Sequence, residues 1–370
     1  MMKKSLIALA AAAVAGGAYA TTAVTISGTV DINYGNVDGS GGTTAAHQAF
    51  ANGLDQQRVA QNGSATSAIV ISGSEDIGGG LRGIFRFETN PDFVGGGGIA
   101  AGNGWNFVGI TGGFGEVRLG RLNSAFLENW LIVNPLGTAL GTGFGGAQVL
   151  TRYAAGTAPT RFNNAIEYRS PVFSGIQGRL MFVPEDTTPT TTVRPGVIDA
   201  GLRFAQGPFA AMLSWQQTDA SRAVLAGASP IGVGGGTATT GVDNTLWMLG
   251  GRYTMGATAF SAGYFREDVK VAGVESADIT GWTLAVAHTM APWTLRAAYT
   301  QSEDKALAAN QVFSTTGGAL GLERGAKRSV LGLGVDYAFS KRTALYGRFE
   351  GRDMDQTEVQ TIAVGIRHTF

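Results

Sequence analysis

Three histidines, a glycine-rich GTGFGG run and a scatter of arginines are the residues of this chain with types and spacing that could do chemistry. Hydrolysis needs a nucleophile with a base beside it. His47 lies in a long polar loop, and His288 and His368 lie near the far ends of extended segments, so the histidines build no such constellation. No histidine pair has metal-ligand spacing, and the acidic neighbours Glu75 and Asp76, Glu185 and Asp186, and Glu267 and Asp268 read as solvated turn or rim charges. Gly141 to Gly146 matches G-x-G-x-x-G, a pattern with mechanical meaning only between a strand and a helix, and neither flank supplies one. What remains is a row of guanidiniums. Arg82, Arg86 and Arg118 share the polar face of their strands, while Gly83, Phe85 and Leu119 point the other way. Such a row acts on passing ions through its field rather than by making or breaking bonds. The sequence therefore supports no catalytic, cofactor-binding or metal-ligating residue, and the chain is read as a non-enzyme without a cofactor.

The elements that must position those arginines are strands. Val24, Ile26, Gly28, Val30, Ile32 and Tyr34 alternate with Thr25, Ser27, Thr29, Asp31 and Asn33. The same period recurs at Phe209 to Gln216, Trp293 to Thr300 and Leu331 to Tyr337, and in the last residues, where Ile362, Val364, Ile366, His368 and Phe370 share one face. Isolated charges such as Asp31, Arg252, Arg296, Asp336 and Arg348 sit on the second face, where a water-filled lumen accepts them. Short turns at Asp76 to Gly80, Gly112 to Gly115, Pro171 to Gly175, Gly207-Pro208, Met255-Gly256, Ala291-Pro292 and Ser340 to Arg342 alternate with longer stretches. The longer stretches are Gly35 to Thr66, Asn90 to Gly104, Leu122 to Thr160, Glu185 to Gly196, Thr218 to Asp243, Asp268 to Asp278, Glu303 to Lys327 and Arg352 to Thr357. About sixteen strands result, an even number, with Thr21 to Tyr34 and Glu358 to Phe370 placed to close a ring. Tyr34, Phe93, Trp105, Trp215, Trp247, Tyr337 and Phe370 near strand ends suit an interfacial girdle.

Composition agrees. Lys3 and Lys4 precede an apolar run from Leu6 to Ala15 and the small-residue site Ala18-Tyr19-Ala20, which predicts a signal peptide over residues 1–20. Removing those two lysines leaves 25 of the 27 basic residues against 27 acidic ones, a balance of −2 and no nucleic-acid footprint. With no cysteine, an exported chain of this length needs a large, fully hydrogen-bonded architecture rather than disulfides. Glycine at 57 of 370 residues and the missing 3.6-residue period argue against a helical protein.

Ser67 to Glu88 (SAIVISGSEDIGGGLRGIFRFE) and Phe107 to Leu122 (FVGITGGFGEVRLGRL) resemble the strand-turn-strand blocks of the β-proteobacterial Gram-negative porins. Arg161 to Gly175 and Val335 to Tyr346 do so as well. The resemblance covers essentially the chain after the leader. It implies an all-β fold, a 16-stranded antiparallel transmembrane β-barrel over residues 21–370, assembled as a homotrimer in the outer membrane among lipid and lipopolysaccharide. It also implies a third long loop, here 122–160, folded inward. Arg121 matches the arginine of the family's LGR block and Arg161 the one opening its NN block, both facing the constriction. Phe370 matches the terminal aromatic that the barrel-assembly machinery reads. Where the family often carries basic residues this chain has Ala68 and Ser72, and the inward loop has Glu128 as its single carboxylate. Fewer opposed charges make a weaker transverse field.

The function expected is a passive pore for small hydrophilic solutes and ions with a mild anion preference. Its constriction draws on Arg86, Arg118, Arg121, Glu128 and Arg161, with Arg82 on the lumen wall. The alternatives are a substrate-selective porin for small anionic nutrients, or an adhesin using the same barrel's loops.

Overall fold

The computed structural model describes residues 23–41, 55–99, 102–142, 144, 161–185, 196–220, 242–271, 273–306, 327–353 and 357–370. The leader expected over residues 1–20 lies outside them. In chain order the elements are β1 (Ala23–Gly41), β2 (Gln56–Gln61), β3 (Ala68–Gly78), β4 (Leu81–Thr89), β5 (Asn106–Gly112) and β6 (Gly115–Asn123), then helix α1 (Ala125–Val133). The sheet continues through β7 (Arg161–Arg169), β8 (Ile176–Val183), β9 (Gly196–Gln206), β10 (Phe209–Ala220), β11 (Val242–Met255) and β12 (Thr258–Val271). It ends with β13 (Val274–Met290), β14 (Trp293–Asp304), β15 (Lys327–Ala338), β16 (Thr343–Asp353) and β17 (Thr357–Thr369).

All of these strands belong to one antiparallel sheet closed on itself, since β17 pairs with β1 from Thr29 opposite Thr369 to Gly41 opposite Thr357. On its other edge β1 pairs first with β3, from Ala23 to Thr29, and then with β2, from Ile32 to Val37. β2 and β3 are thus two halves of one interrupted strand, and the ring has sixteen positions. Closure leaves the ring without a free first or last strand, which a sheet in lipid requires.

The short turns read from the sequence join antiparallel neighbours here: β3 to β4, β5 to β6, β7 to β8, β9 to β10, β11 to β12, β13 to β14 and β15 to β16. One long connection does not exist. Asp268 to Asp278 is mostly strand, with β12 reaching Val271 and β13 beginning at Val274 across a register shift at Val269 and Lys270. The stretch reads as polar because Asp268 and Lys270 alternate with buried Val269, so the hydrogen-bond ladder outlasts the apolar face. β1 likewise continues to Gly41, well into the segment expected to be loop from Gly35 onward.

Val24, Ile26, Leu213, Leu249, Leu284, Leu333, Ile362, Val364 and Ile366 are all exposed, and along their strands they alternate with residues facing the other way. An apolar exterior of this extent in a closed sheet is a lipid-facing surface. Two aromatic bands border it over β10–β15. Phe209 with Tyr253 (4.7 Å between ring centroids), and Trp293 with Tyr337 (4.8 Å), lie by the short turns. Trp247 with Tyr264, and Trp282 with Tyr299, both at 5.4 Å, lie farther along the strands.

The seam also takes in the final residue. Phe370 N donates to Gly28 O and Gly28 N donates to Phe370 O, each at 3.1 Å, and the Phe370 ring covers Gly28 so closely that a Cβ there has no room. Deleting Phe370 therefore removes two seam hydrogen bonds and the ring over Gly28. We expect the amount of folded, heat-modifiable protein recovered from membranes to fall severalfold, while channels that do form keep wild-type conductance; wild-type yield would separate Phe370 from assembly.

Candidate functional site

Ser124 caps α1, its Oγ accepting from Leu127 N at 3.1 Å, and both oxygens of the buried Asp199 on β9 accept from Ala125 N at 3.0 Å. A carboxylate at this end also suits the helix dipole. The helix then lies on β10–β13. Phe126, Leu127, Trp130 and Val133 are buried together with Met212, Leu246, Met248, Phe265 and Ile279, side chains on the strand faces opposite the lipid-facing leucines. Asn129 Nδ2 fastens the middle of the helix to Met212 O at 2.9 Å, Met248 O at 2.7 Å and Ser214 Oγ at 3.1 Å. Beyond the helix, Trp130 Nε1 donates to Gly137 O at 2.8 Å, Leu136 packs on Ala285 and Ala298, and Gly141 N donates to Glu350 Oε2 on β16 at 2.7 Å. Residues 124–142 thus run along the inner face from β9 to β16. The rest of the long loop, 145–160, lies outside the described residues.

Glu128 points from α1 toward β7 and β8, where Arg169 Nη2 (2.5 Å) and Arg179 Nη1 (2.9 Å) meet its Oε1. Arg179 also reaches Glu167 at 2.5 Å, Asp199 at 3.2 Å and Asn123 O at 2.6 Å, and Arg169 Nε reaches Glu167 at 2.6 Å. Burial pushes the Glu128 carboxyl up, but the two guanidiniums outweigh it and hold it below its usual value.

The sequence-predicted arginines fall next to this layer. Arg118 is paired with Glu116, approaches Glu167 at 3.6 Å, and stacks its guanidinium over Trp105 (5.0 Å) and Phe107 (4.7 Å). Arg86 stacks on the same Trp105 at 5.0 Å and bridges to Glu88 at 2.7 Å, whose other oxygen faces Arg161 at 3.4 Å. Arg121 occupies the bulge where β6 shifts register against β7, donating to Gly104 O at 3.1 Å and to Asn163 Oδ1 at 2.7 Å. Arg82 stands apart beside the short turn, donating to Ser74 Oγ at 2.5 Å. Arg86, Arg118 and Arg161 therefore share one neighbourhood, and Glu128 belongs to an adjoining one linked through Glu167. Trp105 corrects the girdle expectation: it lies between guanidiniums on the inner side, because two cations over its ring are a better partner than lipid headgroups.

Sequence reasoning missed Glu167, Arg169, Arg179 and Asp199, and also the apolar inner wall that receives α1. The wall had a signal. Leu246, Trp247, Met248 and Leu249 run without a polar break, and an unbroken apolar run means a strand with apolar surroundings on both faces, here lipid outside and α1 within.

What the arrangement can do is electrostatic. Guanidiniums fixed by stacking and by carboxylates present charge without reorganising, and no nucleophile and base meet among these residues. A sixteen-position antiparallel ring, apolar outside and charged within, defines a transmembrane β-barrel of the channel-forming kind. Residues 6–356 match the family model of the Gram-negative porin, and the chain belongs to that family, in the outer membrane of a Gram-negative bacterium. Outer membrane porin protein 32 of Delftia acidovorans is 34% identical over 229 residues, a match spanning 58% of this chain and 60% of that relative's length. An outer membrane porin protein of Bordetella pertussis is 28% identical over the full length of both chains. Among solved structures, the anion-selective porin from Comamonas acidovorans superposes with a TM-score of 0.73 at 22% identity, covering 94% of this chain and all of the other, which shows the shared fold.

Proposed function

We propose that this protein is a passive, water-filled channel for small hydrophilic solutes and ions, with a weak preference for anions. The observation that carries this reading is the two-sided inner face. α1 and the segment after it cover the apolar wall of β10–β13, and the polar passage is left to the side bearing Arg86, Arg118, Arg121 and Arg161. On this reading the loop 122–160 narrows the passage, and Arg86, Arg118, Arg121, Glu128 and Arg161 surround the narrow part, with Arg82 on the wall toward the short turns. Basic and acidic groups nearly balance there, which supports a mild rather than a strict selectivity. The Comamonas acidovorans neighbour is described as anion-selective, in keeping with this sign. Family membership supports a homotrimer, export on the leader 1–20, and insertion by the barrel-assembly machinery into a bilayer that carries lipopolysaccharide.

Planar-bilayer recording of the purified protein tests the reading. We expect conductance that rises linearly with salt and a zero-current potential of anionic sign in a KCl gradient. A conductance that saturates with one class of anionic nutrient would establish the substrate-selective alternative instead.

A further inference from the structure

Between β2 and β3 the chain leaves the ladder at Asn62, whose φ of 69° is left-handed, and rejoins it at Ala68. Asp31 on β1 holds the intervening turn. Its Oδ2 accepts from Ser64 N at 2.8 Å and Ala65 N at 2.6 Å, its Oδ1 accepts from the Tyr346 hydroxyl, and its backbone N–H and C=O both bond Ser67 Oγ, at 3.1 and 3.2 Å. The turn fits tightly, since a Cβ on Gly63 would meet the Tyr346 hydroxyl at 2.5 Å. It carries the Ser64 hydroxyl to the inner face of β16 and β17, where Arg348 Nη2 donates to Ser64 Oγ at 2.8 Å and Arg367 Nη1 donates to the same oxygen at 3.2 Å.

Two like-charged guanidiniums thus aim at one neutral oxygen. Their carboxylates do not account for this. Asp336 is shared between Arg296 and Arg348 (2.9 Å to Arg348), and both oxygens of Asp31 are already taken by the turn and Tyr346. Arg367 has no carboxylate within ion-pair distance among the described residues, and Arg348 Nε, on a side chain only 2% exposed, has no hydrogen-bond partner there either. Three guanidiniums face two carboxylates, and the place where two of them converge is filled by a hydroxyl that can turn from acceptor to donor.

We propose that Ser64, Arg348 and Arg367 form a binding subsite for a small oxyanion, with inorganic phosphate as its simplest occupant. The subsite lies on β17, the turn between β2 and β3, and β16, the strand on which the segment after α1 reaches Glu350, and is separate from the Arg86, Arg118 and Arg161 cluster. A bound oxyanion accepts from both guanidiniums and from the Ser64 hydroxyl, in the planar-donor geometry that favours phosphate and carboxylate oxygens. The inference rests on a hydrated lumen, which the channel reading supplies, but its test does not depend on conduction.

The test is calorimetric titration of inorganic phosphate into the folded, detergent-solubilised protein, with folding of each variant checked by heat-modifiable gel migration. Saturable binding is expected for the wild type. Arg367→Gln, which keeps a polar side chain but loses one charge-assisted bond, should weaken it about tenfold. Ser64→Asp, which places a carboxylate where the ligand belongs, should abolish it. No saturable binding by folded wild type, or equal affinity in the wild type and folded Arg367→Gln, would overturn the subsite. Failure of the channel reading shows separately, as absent conductance in bilayers.

Discussion

Arg118→Ala moves the zero-current potential of the channel toward cations, by on the order of 10 mV or more of the roughly 59 mV available in a tenfold gradient of a monovalent salt. The side chain is fixed by stacking on Trp105 and Phe107 and by its pairing with Glu116. Its loss removes one positive charge and leaves Glu116 without that partner, whereas Glu167 keeps Arg169 and Arg179. Two changes of the same sign then act at one level of the pore, where low-dielectric walls strengthen the field of each charge. Arg121→Ala and Arg161→Ala shift the potential in the same direction but by less. Arg121 is tied to neutral groups, and the loss of Arg161 leaves Glu88 still held by Arg86. The measurement is the reversal potential in a tenfold KCl gradient; wild-type values for all three variants would take these arginines out of the ion path.

Arg179→Met loosens α1 from the wall. The guanidinium, only 4% exposed, serves Glu128, Glu167 and Asp199 together and also binds Asn123 O just before the helix cap. Without it Glu128 keeps Arg169, Glu167 keeps Arg169 and the more distant Arg118, and the buried Asp199 loses its ion pair, a stranding of buried charge that costs about 3–5 kcal/mol. We expect the folded band to collapse at a lower temperature on a gel and the single-channel current to become larger and noisier, since the segment it fastens no longer holds one position. Unchanged current would mean that α1 does not limit the passage. Acid should mimic the effect in part. The Glu128 carboxyl is depressed below its ordinary value of 4.5, so its contribution is present above that pH and is lost as the pH falls through the depressed value. Current noise should therefore rise once the pH is taken below 4.5 and down through the depressed value, and Glu128→Gln should show it at neutral pH.

How much of this was legible in the sequence depended on the kind of interaction. Strands facing lipid on one side and water on the other announce themselves by period 2, so the hairpins, the parity of Arg82, Arg86 and Arg118, and the pairing of the first strand with the last could be read locally, although the seam runs from Thr29 to Gly41, past the expected strand end at Tyr34. The limits of β12 and β13 could not, because the ladder continues past the apolar band and polarity stops reporting strand ends. The interior was harder still. Whether Arg169 and Arg179 face Glu128 depends on where a helix from one loop comes to rest against strands far along the chain. The turn at Ser64 was read as part of a long loop, since a break in one strand has no meaning until Asp31 and Tyr346 are known to lie beside it.

The pairing of β1 with β17 joins residues separated by nearly the whole chain. Bringing such distant segments together carries a large loop-closure entropy, and contacts of this sequence separation form slowly. Until they form, the nascent sheet has two open edges, each a template for joining another unfinished barrel rather than its own far end. Productive folding of this chain is therefore a contest between self-closure and edge-to-edge aggregation. Crowding many unfinished copies together favours aggregation, while shielding either edge until the last strand arrives favours the closed ring.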